Sequence, residues 1–172
     1  MTNLSSTAVK TLWIAAIVLI LDQLTKWWAV SSLTLGEPVA VISNLNWTLA
    51  YNYGAAFSFL ADMGGWQRWF FSGLAFVVST ILIVWLYKLP QKLTAEVWGI
   101  NLVLGGAIGN VIDRVLEGRV TDFIDFYIGN WHYATFNVAD MGIVAGAGLL
   151  ILSEFYLKPK FADSSKKADN KE

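Results

Sequence analysis

Asp122 and Asp140 are the residues whose types and placement could do the most definite chemistry. The chain has no cysteine and a single histidine, His132. A catalytic thiol, a disulfide and a thiolate metal site are therefore excluded, and no metal centre is expected. Two carboxylates sharing one proton need none of these: together they can activate a water toward an amide carbonyl and then protonate the leaving nitrogen. Asp122 lies in Val120-Thr121-Asp122-Phe123, with a second acid at Asp125. Phe123 and Phe126 predict that this segment lies against the bilayer, which would desolvate its acids and raise their pKa values. Read blandly, either acid is an ordinary loop charge. Asp140 ends Phe136-Asn137-Val138-Ala139-Asp140, in which Asn137 as N-cap and Asp140 three residues on match a capping box. A structural cap and a reactive acid are compatible, because a helix N-terminus favours the ionised form while apolar surface favours the protonated one.

Other polar residues recur inside otherwise apolar stretches. Asp22 and Lys26 are four apart, share a helix face and can pair. Charges within a membrane helix cost about 2.5–3.5 kcal/mol on insertion scales and face a polar interior or a cavity, so structural support leads direct catalysis as their reading. Asn52-Tyr53-Gly54-Ala55-Ala56-Phe57 is small and flexible enough for a turn or for close approach of a ligand, with neither favoured. Gly105 and Gly109 form a small-xxx-small pair that permits tight helix packing. Asn110, Asp113 and Arg114 follow within about one turn. A salt-bridged helix end is the expected role of Asp113, whereas the planar donor fork of Arg114 could hold substrate carbonyls or lipid phosphate.

The elements that must position these residues are membrane spans. Of 172 residues, 56% are hydrophobic and only 15% charged, and several apolar runs approach the roughly 20 residues that cross a bilayer as helix. Hydropathy predicts spans at Leu12 to Val30, Trp69 to Tyr87, Val97 to Leu116 and Phe136 to Leu157, with Pro90 and Pro159 just beyond the second and fourth. Asp22, Gln23 and Lys26 interrupt the first run, which argues for a retained span over a cleavable signal peptide. Lys10, Lys88, Lys92, Lys158, Lys160, Lys166, Lys167 and Lys171 gather on one side, against Arg68 and Arg119 in the loops of the other. The positive-inside rule then places both termini in the cytoplasm and segments 31 to 68 and 117 to 135 outside. Asp122 and Asp140 fall on that same outer side. Trp47, Leu49, Tyr51 and Tyr53 alternate with Asn46, Thr48, Ala50 and Asn52, which predicts a strand with an aromatic face at the lipid boundary. The expected organisation is one four-span domain over residues 1–157 and a polar, disordered cytoplasmic tail over 158–172. A net charge of -1 with no basic stripe gives no case for nucleic acid.

In order, Asp22 with Lys26, Asn52 to Phe57, Gly105-Gly106-Ala107 through Asn110 to Asp113-Arg114, Val120 to Phe123 and Phe136 to Asp140 resemble lipoprotein signal peptidase, also called signal peptidase II. The resemblance implies a mostly α membrane protein of four transmembrane helices with a small extracytoplasmic β-sheet over the site. It implies an aspartic peptidase of the bacterial cytoplasmic membrane that removes signal peptides from diacylglyceryl-modified prolipoproteins, cutting before the lipidated cysteine. Asp122 and Asp140 match the family's catalytic pair. Asn52, Gly54, Asn110, Arg114 and Asn137 match binding or site-shaping positions, and Asp22 and Lys26 a supporting polar pair. Membrane lipids are the other expected partner; no cofactor and no second copy is required. The chain departs from the common family pattern at Ala134-Thr135, where proline and alanine often precede the Phe-Asn, so a change in loop rigidity is expected there. Two other classes compete with this reading. A small transporter would also use intramembrane acids, but at the midplane and with inverted repeats. An assembly factor would use the glycine helix and leave the acids unexplained.

Overall fold

The apolar runs form four helices, each long and apolar enough to cross a membrane. In the computed structural model, residues 7–54 and 64–157 are described. The lysine-rich tail 158–172 with Pro159, and Ala55-Ala56-Phe57 of the glycine segment, lie outside them. A 3-10 turn, Ala8–Leu12, leads into α1 (Trp13–Ser32). It is tied to the end of α2 (Trp66–Lys88) by a hydrogen bond from Ala8 N to Leu89 O of 2.9 Å. The helix ends at Lys88, two residues before Pro90, whose missing amide cannot continue it. α3 (Ala95–Glu117) begins where the Thr94 side chain accepts from Val97 N at 3.2 Å. It ends at Gly118, whose φ of 74° is left-handed and suits glycine. α4 (Val138–Leu152) continues as a π-helical turn, Ser153–Leu157. These bounds extend the hydropathy reading by two to four residues at several ends and begin the fourth helix two residues later, after its cap.

α3 is the central post. It packs against α1, α2 and α4, and 61% of its membrane-length window is buried against 11% for α2. The small-residue run explains this. A Cβ on Gly109 would lie 2.5 Å from Asp22 Oδ2 on α1, and one on Gly106 would collide with the Ala139 carbonyl of α4. Both neighbours can come close only because those side chains are absent.

Four antiparallel strands sit at the end of the bundle where α1 and α3 finish and α4 starts: β1 (Val39–Ile42), β2 (Leu45–Asn52), β3 (Val120–Ile128) and β4 (Trp131–His132), in that spatial order. β2 and β3 pair Asn46 with Asp125, Ala50 with Asp122 and Asn52 with Val120, with a register shift between Trp47 and Ala50. Of the aromatic face predicted for β2, Trp47, Leu49 and Tyr51 pack on the end of α1 and on β3, while Tyr53, just past the strand, is exposed. Trp47 packs edge-on against Trp28 of α1 at 5.7 Å and against Phe123 at 5.8 Å, over a cluster built on Ala29, Leu49, Phe123 and Ile124. Phe123 is buried in that cluster, and only Phe126 of the two phenylalanines is exposed. The end of α1 offers an apolar surface that the strand covers before lipid can.

Candidate active site

Three connections bring Asp122 and Asp140 together. Asp122 stands on β3, opposite Ala50. Phe136, just before α4, forms an isolated bridge to Ile124 of the same strand, with Phe136 N to Ile124 O at 3.1 Å and Ile124 N to Phe136 O at 2.9 Å. This bridge pins the start of α4 to β3. The capping box then fixes the first turn: Asp140 N donates to Asn137 Oδ1 at 2.9 Å, and Asn137 N to Asp140 Oδ2 at 3.3 Å.

The cap residue also faces the other acid. Asn137 Nδ2 donates to Asp122 Oδ1 at 2.7 Å, with the Thr121 carbonyl at 3.2 Å and Asn110 Oδ1 at 3.3 Å as further acceptors. Asn110 donates to Asp140 Oδ1 at 2.8 Å. Each acid therefore receives a carboxamide N–H, and the two carboxamides touch each other. Asp122 is almost wholly buried. Burial, reinforced by the nearby Asp140 charge, pushes its pKa up to about 7 despite the hydrogen bonds from Asn137 and Asn52 and the attraction of Lys26.

A second layer holds the first. Lys26 Nζ lies 2.8 Å from Asp22 Oδ2 and 2.9 Å from Asp113 Oδ2, and donates to Asn110 Oδ1 at 3.0 Å. All four side chains are buried. Asp22 Oδ1 accepts from Ala139 N at 2.9 Å, so α1 caps the helix that carries Asp140. Asp113 accepts from Thr121 N at 3.1 Å, which ties β3 to α3 beside Asp122. Asp113 is the salt-bridged residue the sequence predicts, but its cation is Lys26 of α1. Asn110 is the joint between the layers: its oxygen faces Lys26 and its nitrogen faces Asp140.

A cavity of about 590 Å³ opens beside the pair. Its polar wall is Asn52, Asn110, Arg114 and Asp140, and its apolar wall includes Tyr133, Phe136, Met141 and Val144. Asp122 lies behind this wall. Val144 is 73% exposed, so the apolar side runs out onto the flank of the bundle. Arg114 donates to the Asn110 carbonyl at 3.3 Å and to the Gly54 carbonyl at 2.9 Å. Gly54 N in turn donates to Asn52 Oδ1 at 2.9 Å, so residues 52–54 bend back on themselves beside the cavity that Asn52 lines. Ala134 and Thr135 also line the cavity. Among the described residues, no three histidine or acidic side chains are grouped to hold a metal ion.

Asp125 departs from the expectation that both acids of the segment are raised. It points to the opposite side of β3, where Asn46 Nδ2 at 3.0 Å and Thr48 Oγ1 at 3.2 Å donate to Oδ2, and His132 Nδ1 lies 2.8 Å from Oδ1. Desolvation raises its pKa, but these hydrogen bonds and the His132 charge outweigh it, and the net shift is downward. Two contributors to the frame lie outside the residues that the sequence marks as site residues. Gln23 donates to Asp22 Oδ2 at 3.2 Å and Asp113 Oδ1 at 3.0 Å, and the Thr121 amide holds Asp113. A glutamine beside Asp22 in an apolar run was the available signal for the first; a backbone amide leaves none.

The profile of the signal peptidase (SPase) II family matches residues 14–156. The chain is 69% identical over 160 residues to the lipoprotein signal peptidase of Hydrogenovibrio crunogenus, covering 93% of each sequence. It is 49% identical over 158 residues to that of Salmonella newport, covering 91% of this chain and 94% of the relative. A solved bacterial membrane enzyme superposes with a TM-score of 0.76 at 32% identity, over 92% of this chain and 91% of its own. With the match spanning all four helices and the strands that carry the two acids, the chain belongs to the signal peptidase II family.

Proposed function

We propose that the chain is an aspartic endopeptidase that removes signal peptides from diacylglyceryl-modified prolipoproteins, cutting before the lipidated cysteine with Asp122 and Asp140 as its dyad. Family membership makes it a signal peptidase with prolipoprotein substrates, and its four apolar helices make it a multi-pass protein of the inner membrane. The observation that carries the finer reading is the pair itself. Two acids are held by Asn137 and Asn110, Asp140 on the wall of a mostly apolar cavity and Asp122 behind it, and Asp122 is pushed up to about 7.

In this reading the proton shared by the pair rests on Asp122. Asp140, on the cavity wall, takes a proton from water as the water oxygen bonds to the scissile carbonyl carbon. Asp122 gives its proton to the carbonyl oxygen. The tetrahedral intermediate then collapses, its C–N bond breaks, and the proton taken up by Asp140 passes to the leaving nitrogen while Asp122 recovers the hydroxyl proton. Arg114, Asn52 and Gly54 align the substrate backbone, and Asn110 and Asn137 hold the carboxylates in register. Asp22, Lys26 and Asp113 support them. The lysine distribution supports an orientation with both termini in the cytoplasm and the site near the outer face. The signal helix then enters sideways along the exposed flank of α4 while the acyl chains stay in lipid.

The test is to incubate purified protein with a diacylglyceryl-modified prolipoprotein and compare Asp122→Asn and Asp140→Asn. Cleavage by the parent, loss in both variants and unchanged melting temperatures are expected. Full cleavage by either folded variant would sink the dyad.

A further inference from the structure

We propose that Phe71 of α2 is a positioning residue for Arg114, holding its guanidinium so that the free donors face the cavity. The Arg114 Cζ lies over the Phe71 ring, 5.4 Å from its centroid. A guanidinium has five N–H donors in a planar fork. Two of the nitrogens in this fork are committed to backbone, NH1 to the Asn110 carbonyl at 3.3 Å and NH2 to the Gly54 carbonyl at 2.9 Å. Two hydrogen bonds lying in the plane fix its in-plane rotation but leave it able to tilt about the line that joins them. The Phe71 ring beneath the guanidinium carbon opposes that tilt, through attraction of the cation to the ring's negative face. The remaining donors then point from an anchored plane into the cavity that Arg114 lines.

The surroundings of Phe71 fit this role. α2 is the least buried helix of the bundle, and it contributes no residue to the cavity wall. Its Trp66, Phe70 and Phe71 form a chain of edge contacts, with centroids 5.6 Å and 5.3 Å apart. That chain ends on the cation. Phe71 is thus the contact through which α2, otherwise packed on the side of α3, reaches the site. The inference rests on the reading of Arg114 as a substrate-facing group.

Phe71→Leu, which keeps apolar bulk but removes the ring face, is compared with Phe71→Tyr, which keeps both. Loss of a cation–π contact predicts a KM raised about 3- to 30-fold with kcat nearly unchanged; Phe71→Tyr should restore the parent value. In an Arg114→Gln background, Phe71→Leu should add no further loss, because the group it positions is gone. A second readout does not depend on cleavage. Phenylglyoxal modifies accessible guanidiniums, and mass spectrometry should show Arg114 labelled several-fold faster in Phe71→Leu, with Arg68 and Arg119 as internal references. Unchanged Arg114 labelling, or multiplicative losses in the double variant, would overturn the proposal even if the enzyme cleaves as expected. Altered labelling that Phe71→Tyr reverses, in a protein that proves not to cleave prolipoprotein, would uphold the positioning and sink the peptidase reading alone.

Discussion

Two pairs of aspartates meet around α3, and they are solved in opposite ways. Asp22 and Asp113 share a cation: Lys26 lies 2.8 Å from one and 2.9 Å from the other. Asp122 and Asp140 are held by neutral donors, the carboxamides of Asn137 at 2.7 Å and Asn110 at 2.8 Å and the Asn137 backbone amide at 3.3 Å. A lysine can neutralise a carboxylate, but a carboxamide can only hydrogen-bond it. In the first pair Lys26 offsets one of the two charges, while the second is held by neutral donors, and burial, reinforced by the nearby Asp140 charge, pushes Asp122 up to about 7. A pair that must hold a proton can also give it away. Asn110 touches both pairs, so the fixed one orients the reactive one.

The comparison breaks most visibly if each pair is disarmed in turn. Asp122→Asn or Asp140→Asn should lower kcat by about 10²- to 10⁴-fold, the usual contribution of a positioned acid or base, with the melting temperature held or raised. Lys26→Met should do the reverse, leaving two buried carboxylates without a cation and lowering stability by about 3–5 kcal/mol. Thermal unfolding in detergent measures it. Adding Asp22→Asn and Asp113→Asn to Lys26→Met should recover most of that loss, since an uncharged buried cluster needs no counter-ion. If Lys26→Met abolished cleavage while leaving stability untouched, the division between structural and reactive pairs would be wrong.

How much of this arrangement could be read from the chain depends on the range of each contact. The Asp22–Lys26 pair and the Asn137–Asp140 box are three- or four-residue patterns within one helix, and both are present as the spacing predicts. The four helices follow from runs of apolar residues, and the alternation over residues 46–53 marks the strand β2 although its burial does not keep a period of two. The bridging of Lys26 to Asp113, the Phe136–Ile124 pairing and the cation–ring contact of Arg114 with Phe71 join distant parts of the chain and have no periodic signature. The register shift between Trp47 and Ala50 is likewise set by the partner strand. Asp125 shows the failure most plainly. Its neighbours Phe123 and Phe126 imply desolvation, yet its actual partners come from β2 and from His132.

The pH dependence sharpens the contrast further. With Asp122 raised to about 7, its protonated form dominates below that pH. The dyad then carries its working proton, and kcat/KM should fall about tenfold per unit as pH rises above about 7. Stability should move the same way. The folded state binds this proton more tightly than the unfolded chain, so stability declines as pH rises from the ordinary carboxylate range through about 7. Asp122→Asn should flatten that part of the stability profile, and Lys26→Met, if it folds, should move the alkaline limb upward by withdrawing a cation that favours the ionised form.

The smallest effect is expected on the far side of β3, where Asp125 has what Asp122 lacks. Donors from Asn46 and Thr48 and the partner His132 bring its pKa below the usual value, so this group stabilises the fold above the ordinary carboxylate range and that contribution is lost as pH falls through the lowered pKa. Asp125→Asn should reduce stability by about 1–3 kcal/mol at neutral pH, and the deficit should shrink in acid as the parent loses the same interactions. His132 is half-exposed, and His132→Ala should cost less, about 1 kcal/mol or under, as screened pairs do. Neither change should shift the alkaline limb of activity, because this pair faces away from the dyad. A displaced limb in Asp125→Asn would mean that the two faces of β3 are coupled, and that the opposite shifts of two acids three residues apart are parts of one titration.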